Sequence, residues 1–459
     1  MQNVISTYSE EIKLHSKAFS RSVEIYRMAV DFFIKVIDTE WGSISAVGTV
    51  KGRLTETEKY TVATSKRSVV PYDFAKADRH FYKMPCYLRR AAINEAVGKV
   101  SSYRSNLARW EASESKKDIR KPGYPKAGYV YPVLYRSNMY KGEVGSYTAQ
   151  VKVFIRNTWD WITVTLRKSD VDYINRRCRP FEDGEGVMKS RSIGAPTLQK
   201  RYKKWYLDFP VTEVVTLTDV PAEEQTIAAV DLGINNACTL CIMRSDGTVL
   251  GREFLSLPRE NDCLKHALNR IKKAQQCGNR KTPRLWAYAK GINNDIAVKT
   301  AQFITEKAIA YNADVIVFEH LETKGKKRGS RKQRLHLWKG QYVQAMVMQK
   351  AHRCGIRISR VCAWGTSRLA FDGSGRVLRG KESEKTQGNY SLCEFRSGKL
   401  YHCDLNASYN IGARYFVREI TKSLPATVRL RLEAKDPSVY RRSTCTLSTL
   451  INLNAVLAA

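Results

Sequence analysis

The apolar run at 227–230, Ile-Ala-Ala-Val, stops at one carboxylate, Asp231, and a second apolar run at 315–318, Val-Ile-Val-Phe, stops in the same way at Glu319. A third carboxylate, Asp404, opens a helical stretch that extends to about 420. Each has a plain reading. A strand-end Asp can hydrogen-bond its own turn, and a helix-opening Asp is most often a cap. The other reading is shared by all three, a metal or phosphate site. Carboxylate oxygens, unlike His or Cys, suit the hard cation Mg²⁺. Two such ions about 4 Å apart activate a water and stabilise the leaving 3′ oxygen of a phosphodiester, and Mn²⁺ can substitute for them.

The elements around the three decide whether they can meet. Gly233, Asn235 and Asn236 supply a turn after Asp231, residues 238–243 resume an apolar run, and Arg244-Ser-Asp-Gly leads by a tight turn into a third strand at 248–257. Helical patterns follow at 261–276 and 285–311, split by the loop Cys277-Gly-Asn-Arg-Lys-Thr-Pro. After the strand that ends at Glu319, residues 324–334 hold seven cations in eleven positions and by default form a mobile solvated loop. A helix at 335–354, a strand at 355–361 and a polar excursion at 362–403 lead to Asp404. This order is the topology of a ribonuclease H-like α/β domain. The first and fourth strands of such a sheet are neighbours, so Asp231 and Glu319 meet and the late helix carries Asp404 to them. Three gathered carboxylates repel unless cations neutralise them.

The rest of the chain supplies a partner. Its 459 residues are enough for two to four domains. Lys and Arg number 78 against 44 Asp and Glu, a formal charge of +34, which calls for a polyanion. No stretch is apolar enough to span a membrane, and the N-terminus lacks a signal-type core, so a soluble cytoplasmic protein is expected. Eleven cysteines without a paired framework fit a reducing compartment. Residues 3–8 could be a strand that joins a later sheet. Helical spacing at 20–41 and 88–110 makes a helical domain, the second helix carrying Arg89, Arg90, Lys99, Arg104 and Arg109. Beyond Lys121-Pro-Gly-Tyr-Pro-Lys the pattern turns to strands, with a hairpin at 149–155 and 159–166 and another strand at 205–215, which suggest a small β-barrel. Cations interleaved with aromatics, including Arg201, Lys203 and Lys204, could neutralise and stack on a nucleic acid strand, or the aromatics could be core.

Val-Asp-Leu-Gly-Ile-Asn-Asn at 230–236, Ile-Val-Phe-Glu-His-Leu-Glu at 316–322 and Asp-Leu-Asn-Ala-Ser-Tyr-Asn-Ile-Gly-Ala-Arg at 404–414 resemble the three RuvC motifs of the TnpB family, transposon-encoded RNA-guided DNA nucleases related to miniature type V CRISPR effectors. Upstream, Met84-Pro-Cys-Tyr-Leu-Arg-Arg-Ala-Ala-Ile, Lys121-Pro-Gly-Tyr-Pro-Lys and Pro196-Thr-Leu-Gln-Lys-Arg-Tyr-Lys-Lys-Trp-Tyr-Leu are similar to recognition- and wedge-domain segments. The resemblance implies a multidomain α+β chain. Residues 1–14 would be a wedge strand, 15–125 a helical recognition domain, 126–222 a wedge β-barrel, and 223–361 with 404–422 the RuvC nuclease, interrupted by a target-binding insert at 362–403 and followed by a tail at 423–459. It also implies Asp231, Glu319 and Asp404 as catalytic, metal-holding residues, and guide RNA and target double-stranded DNA as partners. A homodimer is compatible with it. Lys326, Lys327, Arg328, Arg331 and Lys332, close after Glu319, would reach nucleic acid entering the site.

One departure is plain. The family carries a four-cysteine zinc ribbon in the insert, and the corresponding positions here hold Ala370, Gly373, Glu394 and Ser397, while Cys403 replaces the Arg common before the last Asp. The insert therefore reads as a degenerate ribbon without structural zinc. Cys362, Cys393, His402 and Cys403 restore no Cys-x-x-Cys pair, and Cys238 and Cys241 lie three apart on a strand and so point to opposite faces. Two rival functions follow from the same residues. An actin-like ATPase or sugar kinase shares Val-Asp-Leu-Gly but needs a second phosphate loop that is not found. An RNA-guided repressor that occupies DNA without cutting is the alternative within the family.

Overall fold

Strand alternation in the C-terminal half sorts the buried side chains of its central sheet to one of two faces. In the computed structural model, which describes all residues except 1, 14–16, 114–120, 144, 179–180, 183–187, 190, 235, 280, 322–337, 436–442 and 459, the chain is mixed α+β and divides into two compact units, Ile5–Glu213 and Met1–Val4 with Val214–Ala459.

In the unit Ile5–Glu213, strand β1 (Gln2–Ile12) joins a sheet whose other strands come some 190 residues later, as its apolar pattern predicts. Helix α1 (Lys17–Thr39) buries Phe19, Val23, Tyr26, Phe33 and Ile37 against α2 (Cys86–Glu111), which contributes Leu88, Ala92, Ala96 and Val100. Strand β2 (Tyr140–Lys141), β3 (Thr148–Ile155) and β4 (Thr158–Thr165) form one antiparallel sheet. Its hairpin turns at Arg156 and Asn157, both left-handed at φ 48° and 59°, so that the second strand starts at Thr158, one residue before the expected 159. A second sheet contains β1, β5 (Arg191–Ile193), β6 (Thr197–Arg201) and β7 (Lys204–Val215), with β7 central.

The expected closed barrel is not formed among the described residues. Single bridges, Ile12 to Leu166 and Val133 to Thr197, are the junctions between the strands. The first cannot lengthen past Arg167, because a helix begins at Lys168.

In the other unit, β8 (Thr226–Asp231), β9 (Cys238–Arg244) and β10 (Val249–Leu255) form the antiparallel meander. Two long helices follow, α3 (Pro258–Gln276) and α4 (Pro283–Ala310), each opened by a proline, whose missing N–H costs nothing in a first turn. Next come β11 (Val315–Glu319), α5 (Gly340–Arg353) and β12 (Arg357–Val361). The sheet order is β10-β9-β8-β11-β12, and β8 and β11 are parallel neighbours, with Val230 opposite Phe318. Ala228, Val230, Leu240, Ile316 and Phe318 pack on α4 and α5. Ile227, Ala229, Met243, Val315 and Val317 pack instead on α6 (Cys403–Ser423) and α7 (Leu447–Ala458).

Cys238 lies in the first of these layers and Cys241 in the second, as period-two alternation requires. Gly412 marks the closest approach of α6 to the sheet, since a Cβ there would stand 3.3 Å from the Ala229 Cβ and 3.2 Å from the Met243 sulfur. The C-terminal segment, for which the sequence suggested no role, completes this layer through Leu447, Leu450 and Leu453. Among the described residues no helix is long and apolar enough to cross a membrane.

Candidate active site

Alternation also aims the carboxylates. Asp231 follows Ile227 and Ala229 in parity, and Glu319 follows Val315 and Val317, so both project to the face covered by α6. Asp404 stands in the first turn of α6 and does not cap it, because the N-cap is His402. There the helix dipole favours a negative charge. The structure thus brings all three residues to one end of the sheet. Burial, then the charges of Glu319 and Asp404, raise the Asp231 carboxyl well above the usual range, and the nearby Arg379 guanidinium opposes them. Burial also raises Glu319, against a hydrogen bond from Thr366 and the charge of Arg414.

Glu319 and Asp404 each have a holder. Thr366 Oγ1 donates to Glu319 Oε1, and Gln344 Nε2 donates to the Glu319 carbonyl at 2.9 Å. Asn236 Nδ2 donates to Asp404 Oδ2 at 3.0 Å, so an asparagine expected only to make a turn links the β8–β9 loop to α6. Arg414, 4 % exposed, donates to the carbonyls of Cys362 (2.7 Å), Trp364 (2.8 Å), Ser443 (2.7 Å) and Cys445 (3.1 Å), which ties the start of the insert and the C-terminal segment to α6. Asn410 Nδ2 reaches the carbonyls of Thr366 at 2.9 Å and Leu369 at 2.8 Å. The polar positions of the third motif therefore fasten the segment that presents Thr366 to Glu319.

Arg379, Thr366 and Gln344 were not singled out in the sequence as site residues. Arg379, among so many cations, carries no distinguishing signal.

The insert has its own small core. Strands β13 (Leu378–Arg379), β14 (Leu392–Glu394) and β15 (Leu400–His402) form a sheet over Ala370, Val377, Cys393, Phe395 and Cys403. Of the four positions where the family has zinc-binding cysteines, Ala370 is buried in this core and Gly373 turns the chain at φ 81°. Glu394 pairs with Lys385 at 2.7 Å, and Ser397 lies in the turn closed by the Phe395–Lys399 hydrogen bond at 2.9 Å.

The donor set suits Mg²⁺. All three side chains are oxygen ligands, and a cation among them would offset the burial and like charge that raise the Asp231 carboxyl. Asp231, Glu319 and Asp404 would hold such an ion, which would supply water activation and charge neutralisation. Among the described residues, however, no three His, Cys, Asp or Glu side chains stand close enough together to ligate a single ion as a group.

The cations proposed for nucleic acid fare differently. Arg201 is ion-paired with buried Asp208, hydrogen-bonds Ser9 at 2.9 Å and lies over the Tyr206 ring. Lys204 pairs with Glu11 at 3.0 Å. Lys203 sits with Tyr202 at the exposed tip of the β6–β7 hairpin. Trp205 is core. On α2, Arg89 and Arg90 are taken up by Glu58, and Arg104 by Asp38. Lys326, Lys327, Arg328, Arg331 and Lys332 lie outside the described residues.

Comparison with known proteins adds two kinds of likeness. The Aq_aa04 family model matches residues 6–155, away from the carboxylates. The uncharacterized protein aq_aa04 of Aquifex aeolicus (strain VF5) is 29% identical over 146 residues, 29% of this chain and 80% of that protein. Among solved structures, the chain is similar to a Cas12f1–sgRNA–target DNA complex (16% identity, 89% of this chain and 99% of that one, TM-score 0.33). It is also similar to CasPhi-2 (Cas12j) bound to crRNA (10%, 90% and 97%, TM-score 0.40) and to an AacC2c1–sgRNA–extended non-target DNA ternary complex (10%, 87% and 70%, TM-score 0.44). No TM-score among these reaches 0.5, and the functional reading rests on the carboxylates.

Proposed function

We propose that the chain is an RNA-guided DNA endonuclease of the TnpB and type V effector kind, hydrolysing phosphodiester bonds with Mg²⁺ held by Asp231, Glu319 and Asp404. The observation that carries this is the convergence of three carboxylates, from positions 88 and 85 residues apart, on one end of one sheet, where burial and then the charges of the other two raise Asp231. A fold does not gather like charges without a use for them. Thr366 and Asn236 orient Glu319 and Asp404, and Arg379 places a positive charge beside Asp231, suited to the negative charge of a phosphodiester. The formal charge of +34 supports binding of both guide RNA and target DNA. In this reading the insert is held by its apolar core without zinc, which elemental analysis of the purified protein checks.

The test is plasmid cleavage by the protein purified with its RNA. The RNA is sequenced first, and targets matching its variable end are supplied with Mg²⁺ or with EDTA. Cutting of matched plasmid in Mg²⁺ alone is expected. Binding of matched DNA with no cutting would convert the reading to RNA-guided occupancy, and loss of both would remove the guide.

A further inference from the structure

Two large aromatic side chains stand exposed on the backbone that supports the carboxylates. Trp364 is 66% exposed and Tyr390 57%. Burying an indole is among the larger single gains available to a fold, so one left outside on a fixed support is informative. The support is fixed on both sides. The carbonyls of Cys362 and Trp364 itself are held by buried Arg414, and Gly365, at φ 72°, turns the chain towards Thr366. Thr366 in turn bonds Glu319 through its hydroxyl and Asn410 through its carbonyl. The indole is thus carried two residues from the group that orients Glu319. On the side of Asp231, the Tyr390 ring lies against Gly380, where a Cβ would come within 2.6 Å of it, and the Tyr390 carbonyl accepts from Arg379 Nη2 at 3.3 Å.

We propose that Trp364 is a stacking platform for a nucleobase of the strand being cut, and so fixes the phosphodiester against the carboxylates. The proposal rests on the nuclease reading for its consequence but on exposure and backbone fixation for its site. Stacking suits this place because every base has a π-face, so a platform holds a single strand without selecting its sequence. It also supplies a grip that places the scissile bond to within an ångström.

The experiment uses the protein with its copurified RNA in two assays. In single-turnover cleavage of matched DNA, Trp364→Ala should slow cutting about 10-fold or more and spread the cut positions, and Trp364→Phe should restore most of the rate. In EDTA, fluorescence of single-stranded DNA carrying 2-aminopurine should be quenched by the native protein, less by Trp364→Ala, and again by Trp364→Phe. Unchanged rate, cut positions and quenching in Trp364→Ala would overturn the proposal while leaving the nuclease intact. Quenching that depends on Trp364 in a protein that cuts nothing would keep the platform and remove the nuclease.

Discussion

The cations of the β6–β7 hairpin and the carboxylates at the ends of β8 and β11 answer opposite questions about charge on a strand. Arg201 meets Asp208 and Lys204 meets Glu11, each charge answered by its opposite within one sheet. Asp231 meets Glu319 and Asp404, its own sign, and burial together with their charges raises it. Where folding alone decides, charges are paired. Where one sign is gathered, with the charges of Arg379 and Arg414 opposing it, a cation from outside is the partner proposed for it. The difference separates two kinds of charged residue that look alike in a sequence.

The largest stability effect should come from the arginine that serves the carboxylate end. Arg414→Met removes the buried guanidinium and its four hydrogen bonds to backbone carbonyls, and should destabilise the C-terminal unit by on the order of 3–5 kcal/mol, read as a fall in its urea midpoint. An unchanged midpoint would mean that the insert and the C-terminal segment are not fastened through it.

On the paired side, Glu10 is the exception that sharpens the contrast. Burial first, and Asp170 second, push its carboxyl up to about 7. The folded state therefore holds the proton more tightly than the unfolded chain. The stabilisation is complete below the unfolded value near 4.5 and is lost as pH rises towards 7. Glu10→Gln should gain on the order of 2–3 kcal/mol over the native protein at pH 8 and nearly nothing at pH 4. Denaturation at both pH values checks this, and an equal effect at the two would show that Glu10 is ordinarily ionised.

The smallest effects separate neighbours on one hairpin. Lys203→Ala should lower the slope of log binding constant against log salt by about 0.7 for a single strand and leave stability unchanged. Arg201→Met should instead cost about 1–2 kcal/mol, because it strands buried Asp208. Stability loss in the first variant and none in the second would reverse the assignment.

Much of the candidate site was legible because strand ends are legible. An apolar run of β length that stops at Asp231 or Glu319 is visible in one dimension, and strand order then places the two side by side, as β8 and β11 are. Asp404 was legible from its motif, and the structure shows why the motif's Asn410, Gly412 and Arg414 belong with it. Arg379 and Trp364 were not legible, since they lie in short strands and turns whose path depends on contacts with Asn406, Asn410 and Arg414 rather than on local pattern. The barrel was over-read. Alternation identifies strands, but whether a sheet closes depends on where each strand stops, and Lys168 starts a helix too soon. The ion pairs of α2 were not legible for a similar reason, as Glu58, which takes up Arg89, and Asp38, which takes up Arg104, are 31 and 66 residues away from these partners.

The central claim is that Asp231, Glu319 and Asp404 form one cation site. Manganese binding, followed by electron paramagnetic resonance of free Mn²⁺ at neutral pH, tests it without requiring guide, target or cutting. The native protein should take up Mn²⁺, and Asp231→Asn, Glu319→Gln and Asp404→Asn should each lower the affinity by at least about 10-fold, with all three variants still folded. Equal uptake by the native protein and the three variants would contradict the account.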